Sequence, residues 1–161
     1  MRVEVSADIP ATVEAVFDFL ADPANALKLS EHAADHAVGL EMGDATPDGR
    51  RTFDIRMRAG DRAWVQTIQQ LVRERPSRLV TRGWTWTDSR DDPVMEVTTD
   101  RRLAPTPSGT RIEMAVDYQV RKASLVDRVR FRLQREAARL EIVNGVHLLI
   151  DHFRSRDASA Q

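Results

Sequence analysis

The chain has 161 residues and a formal net charge of −1 at pH 7. That length corresponds to one domain, because domains usually contain about 100–150 residues. The chain has no cysteine, which excludes a disulfide framework, a thiolate metal site and a cysteine nucleophile. No apolar run approaches the roughly 18 residues that cross a bilayer, and the first residues lack the apolar core of a signal peptide. We therefore expect a soluble, cytoplasmic protein without a membrane span.

The charge is unevenly distributed along this nearly neutral chain. Residues 1–50 carry three Lys or Arg against ten Asp or Glu, whereas residues 121–139 carry seven cations and two anions. A near-neutral total argues against a general nucleic-acid binder, and we expect no nucleic-acid partner. The basic segment is interpreted either as a solvated helix face or as a surface that attracts an anionic ligand or a protein partner.

The first elements are a strand and two short helices. Apolar and polar residues alternate from Arg2 to Ile9, which predicts a half-buried strand. Pro10 ends this strand, and apolar residues at helical spacing then continue to a break at Asp22-Pro23. The residues from Ala24 to about His32 favour a second short helix.

Six more strands and a long helix follow. The strands are predicted within 38–42, 53–58, 62–73, 79–87, 95–103 and 112–120, separated by turns rich in Gly, Pro and Asp. Short turns between successive strands imply an antiparallel sheet. A helix is predicted from Ser124 to about Arg154, with residues 155–161 as a frayed tail. This helix is the element available to cover the apolar face of the sheet.

Four local features together resemble one known superfamily. The first strand and helix, from Val3 to Pro23, end in Asp-Pro, and Pro76-Ser77-Arg78-Leu79-Val80 looks like a recurrent turn before the central strands. Ser108-Gly109-Thr110-Arg111-Ile112 resembles a Gly-Thr start of the last strand, and the long helix comes after it. In this order the chain resembles the START-like (SRPBCC) helix-grip superfamily, in particular its polyketide cyclase/dehydrase-like branch.

The resemblance implies an α+β helix-grip domain over residues 1–154. In this fold a curved seven-stranded antiparallel sheet wraps a long C-terminal helix, with two short helices after the first strand. The resemblance also implies a cavity between sheet and helix that holds an apolar molecule such as a lipid or polyketide. Some members are cyclases or aromatases and many only bind, so no catalytic residue is carried over and no cofactor is expected.

Aromatic residues are candidates for the wall of such a cavity. Trp84 and Trp86 share one face of a strand, and Tyr118 lies on the apolar face of the last strand. Alternation shows that the two tryptophans share a face but does not show which face it is. For the strands at 53–58 and 112–120 the pattern is clearer. Residues predicted to face the helix are Phe53, Ile55, Met57, Met114, Val116 and Tyr118, and those predicted to face solvent are Asp54, Arg56, Glu113 and Asp117.

The long helix carries two kinds of candidate side chain. Its later apolar stripe is Ile142, Val143, Val146, Leu149, Ile150 and Phe153, and His147 flanks it. Arg128, Arg132, Arg135 and Arg139 continue the line of that stripe. Either the helix bends and these arginines are solvated, or they reach the mouth of the cavity and bind an anion.

Two histidines earlier in the chain have the spacing of metal ligands. His32 and His36 are four residues apart, which aligns two imidazoles on a helix. The surrounding sequence lacks the His-Glu-x-x-His pattern, so we interpret them as a polar helix end and expect no metal.

Three functions remain open at this stage. The first is a carrier or sensor for an apolar or aromatic molecule, and the second is a cyclase, aromatase or dehydratase for a polyketide-like substrate. In the second, His147 could act as the acid/base group, although it is preferably interpreted as a partly buried, hydrogen-bonded residue. The third is a protein-interaction domain that uses the basic part of the C-terminal helix. The carrier is preferred because no catalytic constellation stands out, and whether any reaction is catalysed stays open. The chain is expected to be a monomer or homodimer. The predicted ligand-binding residues are Phe53, Trp84, Trp86, Tyr118, Arg135, Arg139, Val143 and His147.

Overall fold

Seven strands form one antiparallel sheet in the order β1-β7-β6-β5-β4-β3-β2. The structure is a computed structural model that describes residues 1–29, 37–43, 50–86, 95–120 and 135–159. The strands are β1 (Arg2–Ile9), β2 (Ala37–Met42), β3 (Thr52–Ala59), β4 (Arg62–Glu74), β5 (Arg78–Trp86), β6 (Met95–Thr106) and β7 (Gly109–Val120). The expected seven-stranded α+β helix-grip fold is confirmed.

Two short helices follow β1, as predicted. Helix α1 (Val13–Ala21) begins at Thr12, whose hydroxyl accepts a hydrogen bond from the Ala15 N–H at 3.3 Å. Helix α2 (Pro23–Ala26) leads into a 3₁₀ turn at Leu27–Leu29. The buried Gln70 amide of β4 donates to the Ala21 carbonyl at 2.8 Å, which fixes the end of α1 against the sheet.

The long C-terminal helix α3 spans Arg135–Ser159, so it extends beyond the predicted end near Arg154. The predicted helical residues 124–134, which include Arg128 and Arg132, lie outside the described residues. Val146, Leu149 and Phe153 are buried on the face of α3 that packs against the rest of the protein. No helix within the described ranges has the length and apolar character needed to span a membrane.

The predicted faces of β3 and β7 are confirmed. Phe53, Ile55 and Met57 are buried, while Arg56 between them is exposed. On β7, Val116 is buried, whereas Glu113 is exposed. Met114, Val116 and Tyr118 line the same pocket as residues of α3, so they share the face toward the helix. Asp54 and Asp117, on the opposite face, are half-buried.

The Gly-Thr pair at the start of β7 has a physical role in this fold. Gly109 has a φ of +140°, and a Cβ built on it would lie 2.1 Å from the Ile9 carbonyl oxygen. Only glycine fits that conformation and that close approach. The buried Thr110 hydroxyl then donates to the Ala11 carbonyl at 2.7 Å. This contact holds the turn between β1 and α1 against the β6–β7 hairpin.

Candidate functional site

Two adjoining pockets of about 330 and 190 Å³ are lined by residues of the sheet and α3, and we call them the two lobes of one cavity. Both lobes are lined by the same central residues: Leu20, Leu29, Val97, Thr99, Arg101, Tyr118 and Glu141. The larger lobe is at the lower end of the size range of small-molecule sites. The cavity therefore has room for a compact organic molecule.

The smaller lobe is mainly apolar. Strand β7 supplies Ile112, Met114 and Val116, and α3 supplies Ile142, Val146 and Leu149. Gly145 of α3 lies at the same wall, where a Cβ would come within 2.7 Å of the Leu29 carbonyl oxygen. The missing side chain therefore lets α3 lie close to the 3₁₀ turn and close this end of the cavity.

The larger lobe has polar groups among its apolar ones. Ile55, Met57, Ile68 and Met95 are accompanied by four polar residues from the central strands, Gln66, Thr81, Thr85 and Thr99. Thr81 and Thr99 are direct cross-strand partners of β5 and β6. Gly83 faces this lobe without a side chain, and a Cβ there would make only ordinary contacts, the nearest at 3.8 Å to Ile68. Gly83 therefore leaves room for a methyl group in the wall.

Arg101 of β6 is the cation of the cavity wall and lines both lobes. Its Nη1 donates to the Thr81 hydroxyl at 3.0 Å. Burial lowers the pKa of the Arg101 guanidinium to about 10, and the nearby Asp100 only partly opposes this effect. A group with that pKa is still protonated at pH 7, so the cavity contains a positive charge.

Tyr118 and Glu141 complete the ionisable part of the wall. Burial, with a smaller contribution from the Glu141 carboxylate, raises the pKa of the Tyr118 phenol to about 12. The phenol therefore keeps its proton at neutral pH. Glu141 lies on α3, is exposed, and borders both lobes at the solvent side.

The two tryptophans differ in their relation to the cavity: Trp84 is among the residues that border the larger lobe, whereas Trp86 lines neither lobe. Trp84 pairs with Thr67 and Trp86 pairs with Val65, and the Trp86 indole donates to the Thr67 hydroxyl at 3.0 Å. That hydroxyl in turn donates to Asp54, on the face that was predicted to be solvent-facing. Successive side chains alternate across a strand, so Gly83 and Thr85 face the cavity while the rings on either side of them point away. Trp84 borders the larger lobe at this position of the strand, and its ring lies beside Arg82.

The predicted helix residues are also not assembled around the cavity. His147 is exposed and does not line either lobe. Arg139 is exposed and lies 4.0 Å from Glu136 of the same helix. Val143 is half-buried outside both linings, and Phe53 packs in a buried cluster with Ile55 and Met57. The side chain of Arg135, like His32 and His36, lies outside what the structure describes.

Of the predicted site residues whose side chains the structure describes, Tyr118 lines both lobes and Trp84 borders the larger one. Sequence reasoning missed Arg101, although the alternation of β6 contained a signal for it. Met95, Val97, Thr99, Arg101 and Leu103 form one face of that strand, so an arginine interrupts an otherwise apolar or small set. A charged residue on the apolar face of a strand requires either a partner or a function.

Comparison with known proteins agrees with this fold. Residues 1–149 match the family model described as polyketide cyclase / dehydrase and lipid transport, and the chain belongs to this family. Among curated proteins, none matches this chain.

Solved structures with the same fold are distant in sequence. A conserved protein from Geobacillus kaustophilus is 15% identical with a TM-score of 0.73, and 96% of each chain is covered. A protein from Rhodobacter sphaeroides is 22% identical with a TM-score of 0.62, covering 96% of this chain and 92% of that one. The di-domain ARO/CYC StfQ of the steffimycin biosynthetic pathway is 12% identical with a TM-score of 0.66, covering 98% of this chain and 51% of StfQ. These likenesses show a shared fold.

Proposed function

We propose that this protein binds an apolar or aromatic small molecule in the cavity between the sheet and α3, as a carrier or sensor. The observation that carries the proposal is the cavity itself, whose lobe of about 330 Å³ adjoins a second, largely apolar lobe. The family description, which includes lipid transport, supports the same function.

The composition of the wall supports a ligand with a large apolar surface. Leu20, Leu29 and Val97 border both lobes, and their burial against a ligand would remove apolar area from water. The threonines and Gln66 then provide a few directional hydrogen bonds, which is the usual arrangement of small-molecule sites.

Gly83 provides a sharp test of this function. The fluorescence of the neutral dye N-phenyl-1-naphthylamine rises in apolar surroundings, so titration of the dye measures occupancy of the cavity. Gly83→Leu places a branched side chain in the larger lobe beside Ile68 and is expected to weaken dye binding by about tenfold or more, given the usual cost of overpacking.

Gly83→Ala is the matched control, because its Cβ makes only ordinary contacts at 3.8 Å or more. This variant is expected to bind the dye as the unchanged protein does. Failure of the unchanged protein to bind the dye, or equal binding by the Leu variant, would contradict the proposed function.

A further inference from the structure

Arg101 has a place in the cavity that its protein contacts do not explain. It lies on β6 opposite Met114 of β7, on the face that the sheet turns toward α3. Its neighbours on that face are Thr99, which lines the cavity, and Leu103, which is buried in the core. A charged side chain at such a position is normally paired with an opposite charge.

Within the described ranges, the guanidinium has one hydrogen bond, to the Thr81 hydroxyl, and no carboxylate forms an ion pair with it. A guanidinium has five N–H donors, so most of its bonding capacity remains available to a ligand. The neighbouring Asp100 points to the opposite face, where both of its oxygens accept hydrogen bonds from Arg78 at 3.0 Å. The charge of Arg101 is therefore not neutralised by its sequence neighbour.

The lobes on either side of Arg101 differ in character. On one side are the apolar side chains of β7 and α3, and on the other are Thr81, Thr85 and Gln66. A molecule that fills both lobes passes the guanidinium at their junction. The arrangement suits a molecule with an apolar body and one polar, negatively charged group.

We propose that the ligand of this cavity is an apolar carboxylic acid whose carboxylate is bound by Arg101. The inference rests on the proposed function, since it specifies the chemical class of the molecule in the same cavity. A carboxylate matches the planar fork of a guanidinium with two parallel hydrogen bonds, and it neutralises a half-buried cation that has no carboxylate partner within the described ranges. Burial of that cation, seen in its lowered pKa, makes the gain from an incoming anion larger than it would be in water.

Glu141 is the carboxylate that competes with this assignment. It lines both lobes, but it is exposed on α3 and forms no ion pair with Arg101 in the described part of the chain. If Glu141 paired with Arg101, its removal would free the guanidinium for an incoming anion. If it only borders the mouth, its removal would reduce repulsion of an anion.

The test compares 2-naphthoate with its neutral amide, 2-naphthamide, by calorimetric titration of the full chain. The unchanged protein is expected to bind the acid about 10–100-fold more tightly than the amide, as for a hydrogen-bonded charge pair. Arg101→Met is expected to lose that preference, while its affinity for the amide stays within about threefold. Decanoate and decanol extend the same comparison to an elongated ligand.

Glu141→Gln is the matched variant and is expected to bind the acid as tightly as the unchanged protein or more tightly. Equal affinity for acid and amide in the unchanged protein, or an Arg101→Met variant that keeps the preference, would overturn the inference. Weaker acid binding by Glu141→Gln would also count against it. If the unchanged protein binds the neutral dye and the amide but does not prefer the acid, the proposed function holds and the carboxylate assignment is wrong. If it binds none of these molecules, both proposals are wrong.

Discussion

At the scale of single residues, Tyr118 shows how the cavity changes the chemistry of a side chain. It is the only tyrosine in the chain, so its titration can be followed without interference from another phenol. The half-buried ring lines both lobes, and its phenolate form is disfavoured by burial and by Glu141. The neutral phenol is therefore the stable form across the physiological pH range.

We predict that Tyr118 titrates near pH 12 in the folded protein, against an ordinary value of 10.0. Because the folded state holds the proton more tightly, the stabilising contribution of the neutral phenol is complete below about pH 10 and is lost as pH rises through about 12. Ultraviolet absorbance of the phenolate, read directly after a pH jump, measures the folded value. Glu141→Gln should lower it slightly, and an ordinary value in the folded protein would show that the phenol is solvated.

At the scale of elements, strand patterns were more informative than the helix pattern. Strict alternation on β3 and β7 predicted which side chains are buried, because a strand has only two faces. The same alternation on β5 paired Trp84 with Trp86 but did not show which face of the sheet they occupy. That choice depends on the register with β4, where Gly83 lies opposite Ile68 in the cavity wall.

The candidate residues of α3 were harder to predict. Helical spacing predicts the buried stripe with Val146, Leu149 and Phe153. The distance of α3 from the sheet is set by packing against the 3₁₀ turn at Leu27–Leu29, which spacing does not show. His147 is one position from that stripe and is nevertheless exposed. Neighbouring helix positions differ by about 100° in direction, so a flanking residue can lie wholly outside a cavity.

Gly145→Ala is predicted to destabilise the protein by about 1–3 kcal/mol, although alanine favours helices over glycine by about 1 kcal/mol. The added Cβ would lie 2.7 Å from the Leu29 carbonyl oxygen, so α3 must move away from the 3₁₀ turn. Denaturant unfolding measures the loss. Asn144→Ala, at the exposed neighbouring position, is the control and should not destabilise. A more stable Gly145→Ala variant would mean that α3 does not approach Leu29 closely.

At the scale of the whole molecule, we expect the cavity and its cation to reduce the stability of the fold. A domain is stable by only about 5–15 kcal/mol, and a half-buried charge with no carboxylate partner among the described residues is a substantial cost on that scale. Such a loss of stability is expected where residues are selected to bind a ligand and the same residues do not stabilise the protein without the ligand.

Arg101→Met is therefore predicted to raise the free energy of unfolding at pH 7 by about 1–3 kcal/mol, since it replaces a half-buried cation by an apolar side chain of similar length. The lowered pKa of Arg101, about 10, keeps the group protonated in both states below that pH, so the gain should stay constant from neutral to mildly alkaline solution and shrink above pH 10. Arg111→Met, at an exposed arginine of β7, is the control and should change stability little. A less stable Arg101→Met variant would show that the guanidinium has a strong partner within the protein.

The position of β1 in the sheet has a consequence for synthesis on the ribosome. Strands β2 to β7 each pair with a sequence neighbour, whereas β1 pairs with β7 alone, with Arg2 opposite Asp117. At a translation speed of about 5–20 residues per second, β7 is synthesised roughly 6–20 s after β1. Loop closure over that distance also slows folding. Ile9 of β1 pairs with Thr110 of β7 and packs in the same core cluster as α1. This part of the core can therefore form only when nearly all of the sheet has been synthesised.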